Sequence, residues 1–499
     1  MGRFRGPAQS GLMVVWLALC PRIADAAAPH PDGSVIQRHV LANGLVLLID
    51  ERPGSGEAAL SVTLRAGSAH EPVGGGGTAH LLEHLTFHGS QSVGSIDWSR
   101  ERPLLERIRM LSESFQLERG RGASADFSAL ARMQRQLRQT RQQASAWSEH
   151  QALHRAYLKD CQARIHAAST GRDYVQFYAL LPSQELACAL RLESERMNGL
   201  VMRAFHEEKD EILQELRRNR DDPRVFLVQR MLRAELPGHP YARSNWGSEA
   251  EIRSLSPQRA VGFYQKLYCP ANTVLSIVGD VRTLDAILLA EKFLEGQRAD
   301  CRTPALPPLP DSWPIPRLEF DSGAQPWLAL GWLWPRRGSP HIPALHVLAD
   351  VLEQDLRASL IDQAGEAAEL VVQEFAAGGE AGGVTMIFVW PSTPEGTQWL
   401  ERHLAERLNM LRRSNISEPS FQQSRSRLIE RIRQLRDDPL HYARQIGLAE
   451  LQTQMADSFT SFEKRLKNLD FQAFRRTAQA YLAAERFVTL LTDPRGGTP

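Results

Sequence analysis

The sequence lacks a surplus of charge of either sign: 59 lysines and arginines stand against 58 aspartates and glutamates in 499 residues. Nucleic acids and acidic membrane surfaces recruit large basic excesses, so neither is indicated as the main partner. Cysteine is scarce, at 5, and no two form a Cys-x-x-Cys pair, which argues against a structural zinc knuckle. Long apolar runs are missing. The run that stands out, Gly11 to Cys20, falls short of the roughly 20 residues a bilayer span needs. Glycine (35) and proline (29) sit near ordinary usage, which excludes collagen-like, low-complexity and wholly disordered chains. At 42% hydrophobic, the chain has enough apolar residues for sizeable cores in two or three domains.

Arg3 and Arg5 precede that apolar run, and Ala24-Asp25-Ala26 follows it. This is the charged, apolar and small-residue order of a signal peptide over residues 1–26, with cleavage expected after Ala26. An uncleaved anchor is the alternative, and Leu19 before Cys20 is bulky where a lipoprotein signal needs a small residue. The expectation is an exported chain, periplasmic or secreted, with no membrane span after cleavage. Cys161, Cys188, Cys269 and Cys301 would then remain. That compartment permits disulfides, but the sequence does not pair them, and buried free thiols fit equally well.

Residues 35 to 67 read as strands joined by turns at Asn43-Gly44 and Pro53-Gly54. Gly74 to Gly77 break the chain before a helix that starts near Thr78, a candidate cap. From about Ser95 to Lys159 the composition turns to Arg, Gln, Glu, Ala and Leu, interrupted near Gly120, as expected of a helical hairpin insertion that is accessory to the core. Strands and helices resume from Tyr174 to about Glu295. Residues 301–317 hold six prolines and form the best linker candidate. The division expected is 35–300, the linker, then 318–499, which repeats the order of strands, helix, strands and long helices. Both parts read as one α+β type.

The chemistry concentrates in His80-Leu81-Leu82-Glu83-His84. Histidines at i and i+4 share a helical face and can converge on one metal ion, and Glu83 lies close enough to reach a water there. Zinc held by two imidazoles and a carboxylate keeps an open position and acidifies its water, while a neighbouring carboxylate moves the proton. Ordinary surface or core histidines are the bland alternative. A third ligand is expected from the acidic helix Glu208 to Glu215, whose ends are seven residues apart and share a face. One end would bind metal and the other would support a ligand, unless the run is simply a solvated face paired with Lys209 and Arg217.

These residues resemble the pitrilysin or insulinase type of zinc metallopeptidase, whose inverted motif is His-x-x-Glu-His. The nearest likeness is to bacterial members similar to processing peptidases. It extends over Leu41-Ala42-Asn43-Gly44-Leu45, Gly67-Ser68, Glu71, Ala79 to His84, Phe87, His239-Pro240-Tyr241, Gly247, Phe263-Tyr264, Tyr268, Pro270, Asn272 and Val278-Gly279-Asp280-Val281. The resemblance implies two homologous α+β domains, each a mainly antiparallel sheet with packed helices, forming half of a substrate chamber. The first would be catalytic and the second not. It implies one zinc per chain on His80, His84 and Glu215, with Glu83 as general base and Glu208 in support. Substrate backbone would be held by the strand with Ala167 and Ala168, where the family's Asn is missing. The Arg and Tyr that grip substrate in self-sufficient members correspond to Ile361 and Ala368. The resemblance therefore implies a zinc endopeptidase acting on peptides or unfolded segments, with a homologous partner chain or a second copy, or else a non-catalytic binding subunit.

Overall fold

The computed structural model describes residues 36–493 apart from 221–222, 298–300, 302, 305, 310–316, 322–325, 336–338, 376–381, 454–457 and 484–485. The leader segment 1–26 and much of the proline-rich stretch lie outside the described residues. The chain is α+β and packs as two compact units, one of residues up to 309 with 427–467, the other of 310–426 with 468–493.

In the first unit β1 (Gln37–Val40) and β2 (Val46–Glu51) form a hairpin at Asn43-Gly44, where Gly44 takes the left-handed φ of 87°. Next come β3 (Glu57–Leu64), α1 (Thr78–Thr86), α2 (Trp98–Arg119), α3 (Phe127–Ser145), α4 (Ala152–Lys159), β4 (Ile165–Thr170) and β5 (Val175–Pro182). Helices α5 (Leu186–Asn198), α6 (Phe205–Arg220), α7 (Pro223–Glu235), α8 (Glu249–Ser254) and α9 (Pro257–Leu267) precede β6 (Thr273–Gly279) and α10 (Thr283–Leu294). The sheet order is β1-β2-β6-β3-β5-β4, with β2 and β6 parallel and the other pairs antiparallel.

The rest of the chain runs β7 (Arg317–Asp321), β8 (Trp327–Trp334), α11 (Ile342–Arg357), β9 (Ala367–Phe375), β10 (Gly383–Pro391), α12 (Thr397–Met410), α13 (Glu418–Asp437), α14 (Pro439–Thr453), α15 (Ser458–Lys467), α16 (Phe471–Tyr481) and β11 (Phe487–Asp493). Its sheet reads β7-β11-β8-β10-β9, with β7 and β11 parallel and the rest antiparallel. With β1 set aside, both sheets place their strands in the same sequence order: first, fifth, second, fourth, third. The parallel pair is the first with the fifth in each. The same chain path was folded twice.

Sequence explains why β3 and β6 are central. AALSVTL and TVLSIVG alternate aliphatic with small polar residues, and both strands are buried almost throughout. Leu60, Val62, Leu275 and Ile277 join one core with Leu81 and Leu85 of α1, Leu190 of α5 and Phe263 of α9. Each such side chain contributes roughly 1.5–3 kcal/mol when removed from water. Ser61, Thr63, Gln176 and Ser276 are buried as well. Helix α14, from the far end of the chain, packs on β3, β5 and β6. A Cβ at Gly447 would lie 2.7 Å from Ser276 Oγ and 2.9 Å from Thr63 Oγ1, so glycine permits that approach. Gln176 Nε2 donates to Thr63 Oγ1 and to the Arg444 carbonyl, and Arg444 Nε donates to Gln176 Oε1.

Helices α2 and α3 pack along each other as the expected hairpin, closed at its base by the bridge between Ser95 and Ser148. The accessory stretch ends earlier than the composition suggested. Helix α4 belongs to the core, with Leu153 and Tyr157 buried against α5 and β4, because its apolar residues fall on one face. Disulfides Cys161–Cys188 and Cys269–Cys301 join Cα atoms 5.5 and 6.3 Å apart. The second fastens the start of the proline-rich stretch, where Thr303 Oγ1 donates to Asn272 Oδ1 at 2.6 Å.

Candidate metal centre

Helix α1 begins at Gly77, which has φ 88° and stands where a Cβ would meet the Trp246 carbonyl at 2.9 Å. Gly77, not Thr78, is the cap residue, and the Thr78 hydroxyl instead donates to the Gly75 carbonyl at 2.6 Å. The orphan amides are met from outside the helix. Glu71 accepts from Gly77 N at 3.2 Å and from Ala79 N at 2.7 Å, placing a carboxyl at the positive end of the helix that carries the motif.

The i, i+4 spacing puts the two histidines on one face of α1. His80 and His84 present their Nε2 atoms 3.2 Å apart. Glu215, on α6, places Oε2 3.4 Å from His80 Nε2 and Oε1 3.9 Å from His84 Nε2. A tetrahedral zinc with bonds near 2.0–2.1 Å has ligand atoms about 3.3 Å from one another, so these residues could hold such an ion. Among the described residues, no other group of three ligating side chains converges in this way. Burial, helped by the neighbouring His84, pushes the His80 pKa down to about 3, which keeps its imidazole in the neutral form that binds metal.

Glu208, two helical turns before Glu215, faces the back of the same histidine. Its Oε2 lies 2.8 Å from His84 Nδ1 and its Oε1 2.7 Å from His88 Nε2. Burial works to raise the Glu208 pKa, but the hydrogen bonds from His84 and His88 outweigh it and hold the carboxyl down at about 2. Burial works to lower the His84 pKa, but the hydrogen bond to Glu208 and the carboxylates of Glu83 and Glu215 raise it. In the neutral ring a carboxylate on Nδ1 favours the tautomer whose Nε2 lone pair faces Glu215 and His80. His88 extends the pattern to i+8. The His80, His84, His88 spacing is the only sign of it in the sequence.

Glu83 is 9% exposed. It accepts a 2.5 Å hydrogen bond from Thr170 Oγ1, at the end of β4. Burial raises its pKa against the pull of that bond and of His84. Ala167 and Ala168 lie on the same strand, which is the edge of its sheet and pairs only with β5 among the described residues. In the second unit Ile361 sits in the helical turn after α11 and Ala368 on edge strand β9. Neither side chain can donate a hydrogen bond.

Two family descriptions match the chain: insulinase (peptidase family M16) over residues 46–101, and the peptidase M16 inactive domain over residues 254–428. The first includes all of α1. Both stretches match the M16 peptidase family. An uncharacterised zinc protease of Mycobacterium tuberculosis is 22% identical over 347 residues, which is 68% of this chain. The match spans just under two thirds, 66%, of that relative. Among solved structures, a protease from Helicobacter pylori superposes with a TM-score of 0.73 at 18% identity, covering 92% of this chain and all of that one. The periplasmic protease PqqL from Escherichia coli gives 0.65 at 15% identity, over 94% of this chain and 48% of its own. These structures share the fold. No helix of the described residues is long and apolar enough to cross a membrane.

Proposed function

We propose that this M16 chain is a zinc endopeptidase that cuts peptides or unfolded segments. The observation that carries this reading is the convergence of His80, His84 and Glu215 on one point beside a buried carboxylate that is not one of the three. Zinc bound there would polarise the scissile carbonyl and acidify water. Glu83 accepts the proton of the attacking water and returns it to the leaving amine as the C–N bond breaks. Its raised pKa suits a group that must both take and give back a proton. Thr170 holds Glu83 in place, and the β4 edge with Ala167 and Ala168 offers backbone on which an extended substrate could add as a strand. The two disulfides support an exported, oxidising compartment, as does the leader-like segment 1–26.

One observation favours a shared site. At the positions where the resemblance expects an Arg and a Tyr, the side chains of Ile361 and Ala368 can supply no donor to an oxyanion, and losing such a donor typically costs about 100 to 1,000-fold in rate. A homologous partner chain carrying the Arg and Tyr would supply it, with a homodimer of slow turnover or a non-catalytic binding subunit as the competing readings.

The deciding experiment compares the purified chain with Glu83→Gln, alone and with partner chains encoded beside it, for zinc content and for cleavage of an unstructured peptide. Both proteins should hold about one zinc. The variant should cleave at least about 100-fold more slowly. Absence of zinc from the wild-type chain, or equal cleavage by the two proteins, would reject the peptidase reading.

A further inference from the structure

Behind the metal centre, between the insertion hairpin and the start of α6, lies a cavity of about 490 Å³. That volume is in the range of small-molecule sites. Its wall has an apolar side, with Leu105 and Ile108 from α2, Met202, and Phe205 from α6. The lining also includes Arg138 and Arg141 of α3, a helix without a single acidic residue.

Arg141 is the unusual member. The side chain is half-buried, its Nε is buried without a hydrogen-bond partner, and burial lowers its pKa against the exposed carboxylates of Glu207 and Asp210, which favour its charge. Guanidinium groups taken from water normally find a carboxylate or phosphate. Arg203 in the same wall shows the usual solution, paired with Glu101 at 2.5 and 2.9 Å. Arg141 has no such pair among the described residues. Arg138 lies three residues before it and is exposed at the rim. Helix α6 adds to the effect. Ala204 precedes it with φ 52° and has no side-chain oxygen to cap the first turn, and residues 204–207 line the cavity. A helix start favours negative charge, and Glu207 and Glu208 already stand in the first turn of this one. His206 and His150 add little charge: burial pushes His206 down to about 3, and it also lowers His150.

We propose that this cavity binds a small organic carboxylate, with the charge held by Arg141 and Arg138 over the start of α6 and the hydrocarbon body set against Leu105, Ile108 and Phe205. A single negative charge matches better than a dianion, because Glu207 and Glu149 in the same wall would repel a second one. The site does not rest on the peptidase reading. It does share a wall with the metal centre, since His88 lines the cavity and bonds Glu208.

Calorimetric titration of the full chain with N-acetyl-phenylalanine, its C-terminal amide and inorganic phosphate tests the assignment. The carboxylate should bind at millimolar concentration or below, and the amide and phosphate about tenfold more weakly or worse. Arg141→Gln should weaken carboxylate binding by about tenfold while the thermal midpoint is kept. Leu105→Trp, which fills the cavity and leaves every charge in place, should abolish binding, so the idea stays testable if the arginine variant misfolds. Equal affinity for acid and amide, binding of phosphate alone, indifference to both substitutions, or no binding at all would each overturn it.

Discussion

Removing the Glu208 carboxylate is the sharpest probe of the metal centre, because one side chain holds two histidines. In Glu208→Ala, His84 Nδ1 loses a 2.8 Å partner and His88 Nε2 a 2.7 Å partner. Released from Nδ1, the His84 ring can carry its proton on Nε2, the atom that faces Glu215 and His80. The population ready to bind metal falls accordingly. Loss of such an outer carboxylate costs about 10 to 100-fold in metal affinity, roughly 1.4–2.7 kcal/mol. A separate cost falls on folding, since the His88 side chain is 2% exposed and would be left with an unsatisfied nitrogen, about 1–3 kcal/mol. Glu208→Gln should be milder. Its carbonyl can still accept from His84, while its amide faces His88, which must then move its proton to Nδ1 and give up the long bond from Gln151 N at 3.4 Å. The assay is zinc competition against a chromophoric chelator, run beside thermal melts of the metal-free proteins. Retention of wild-type zinc affinity within about threefold by a folded Glu208→Ala protein would refute the argument.

Three further outcomes follow from burial. Burial pushes the Glu71 carboxyl up to about 8 from an ordinary 4.5, against the Ala79 and Gly77 amides that pull it down. The folded state therefore keeps a proton that the unfolded chain releases, so this contribution to stability is full below pH 4.5 and lost as pH rises through 8. Glu71→Gln should flatten that slope in urea melts taken across the range. Arg203→Leu strands Glu101, which is 0% exposed, and should cost about 3–5 kcal/mol. The double variant with Glu101→Leu should recover most of that in the same melts. Opening the Cys161–Cys188 loop of 27 residues with paired serines should cost about 3–4 kcal/mol by chain entropy, read as a lower denaturant midpoint for the variant than for the oxidised parent.

Local pattern made the strands and α1 legible. WLALGWLW, VTMIFVWP and TVLSIVG are runs of the length and composition that strands need, and each is a strand here. Pairing across distance was not legible. The sequence PLHYARQIGLAELQT announces a helix, yet nothing in it says that α14 lies on the sheet formed 170 to 390 residues earlier. The clue was on the sheet itself. Ser61, Thr63, Gln176 and Ser276 alternate with aliphatic residues, a pattern that suits a solvated face as well as one covered by a polar helix, and only packing distinguishes the two. Cysteine pairing was hidden for the same reason, since it is set by the contacts of α4 with α5 and of the linker with the residues before β6.

The metal centre shows where spacing arguments reach and where they stop. A helix fixes relations within itself, so His80 with His84 and Glu208 with Glu215 could be placed on shared faces from the sequence. It says nothing about which two faces meet. That is decided by the apolar residues that seat α1 against α6, Leu81 and Leu82 on one side and Ile212 and Leu213 on the other, all within one buried cluster. The two carboxylates then reach opposite nitrogens of His84, Glu208 toward Nδ1 and Glu215 toward Nε2. A shift of one helix past the other by a single turn, about 5.4 Å, would move Glu208 or Glu215 out of reach and leave the motif with two ligands. The site therefore depends on hydrophobic register as much as on the histidines. Leu213→Ala, which removes no ligand, should weaken zinc binding along with stability, while a comparable truncation in the second unit, Leu404→Ala, should lower stability alone.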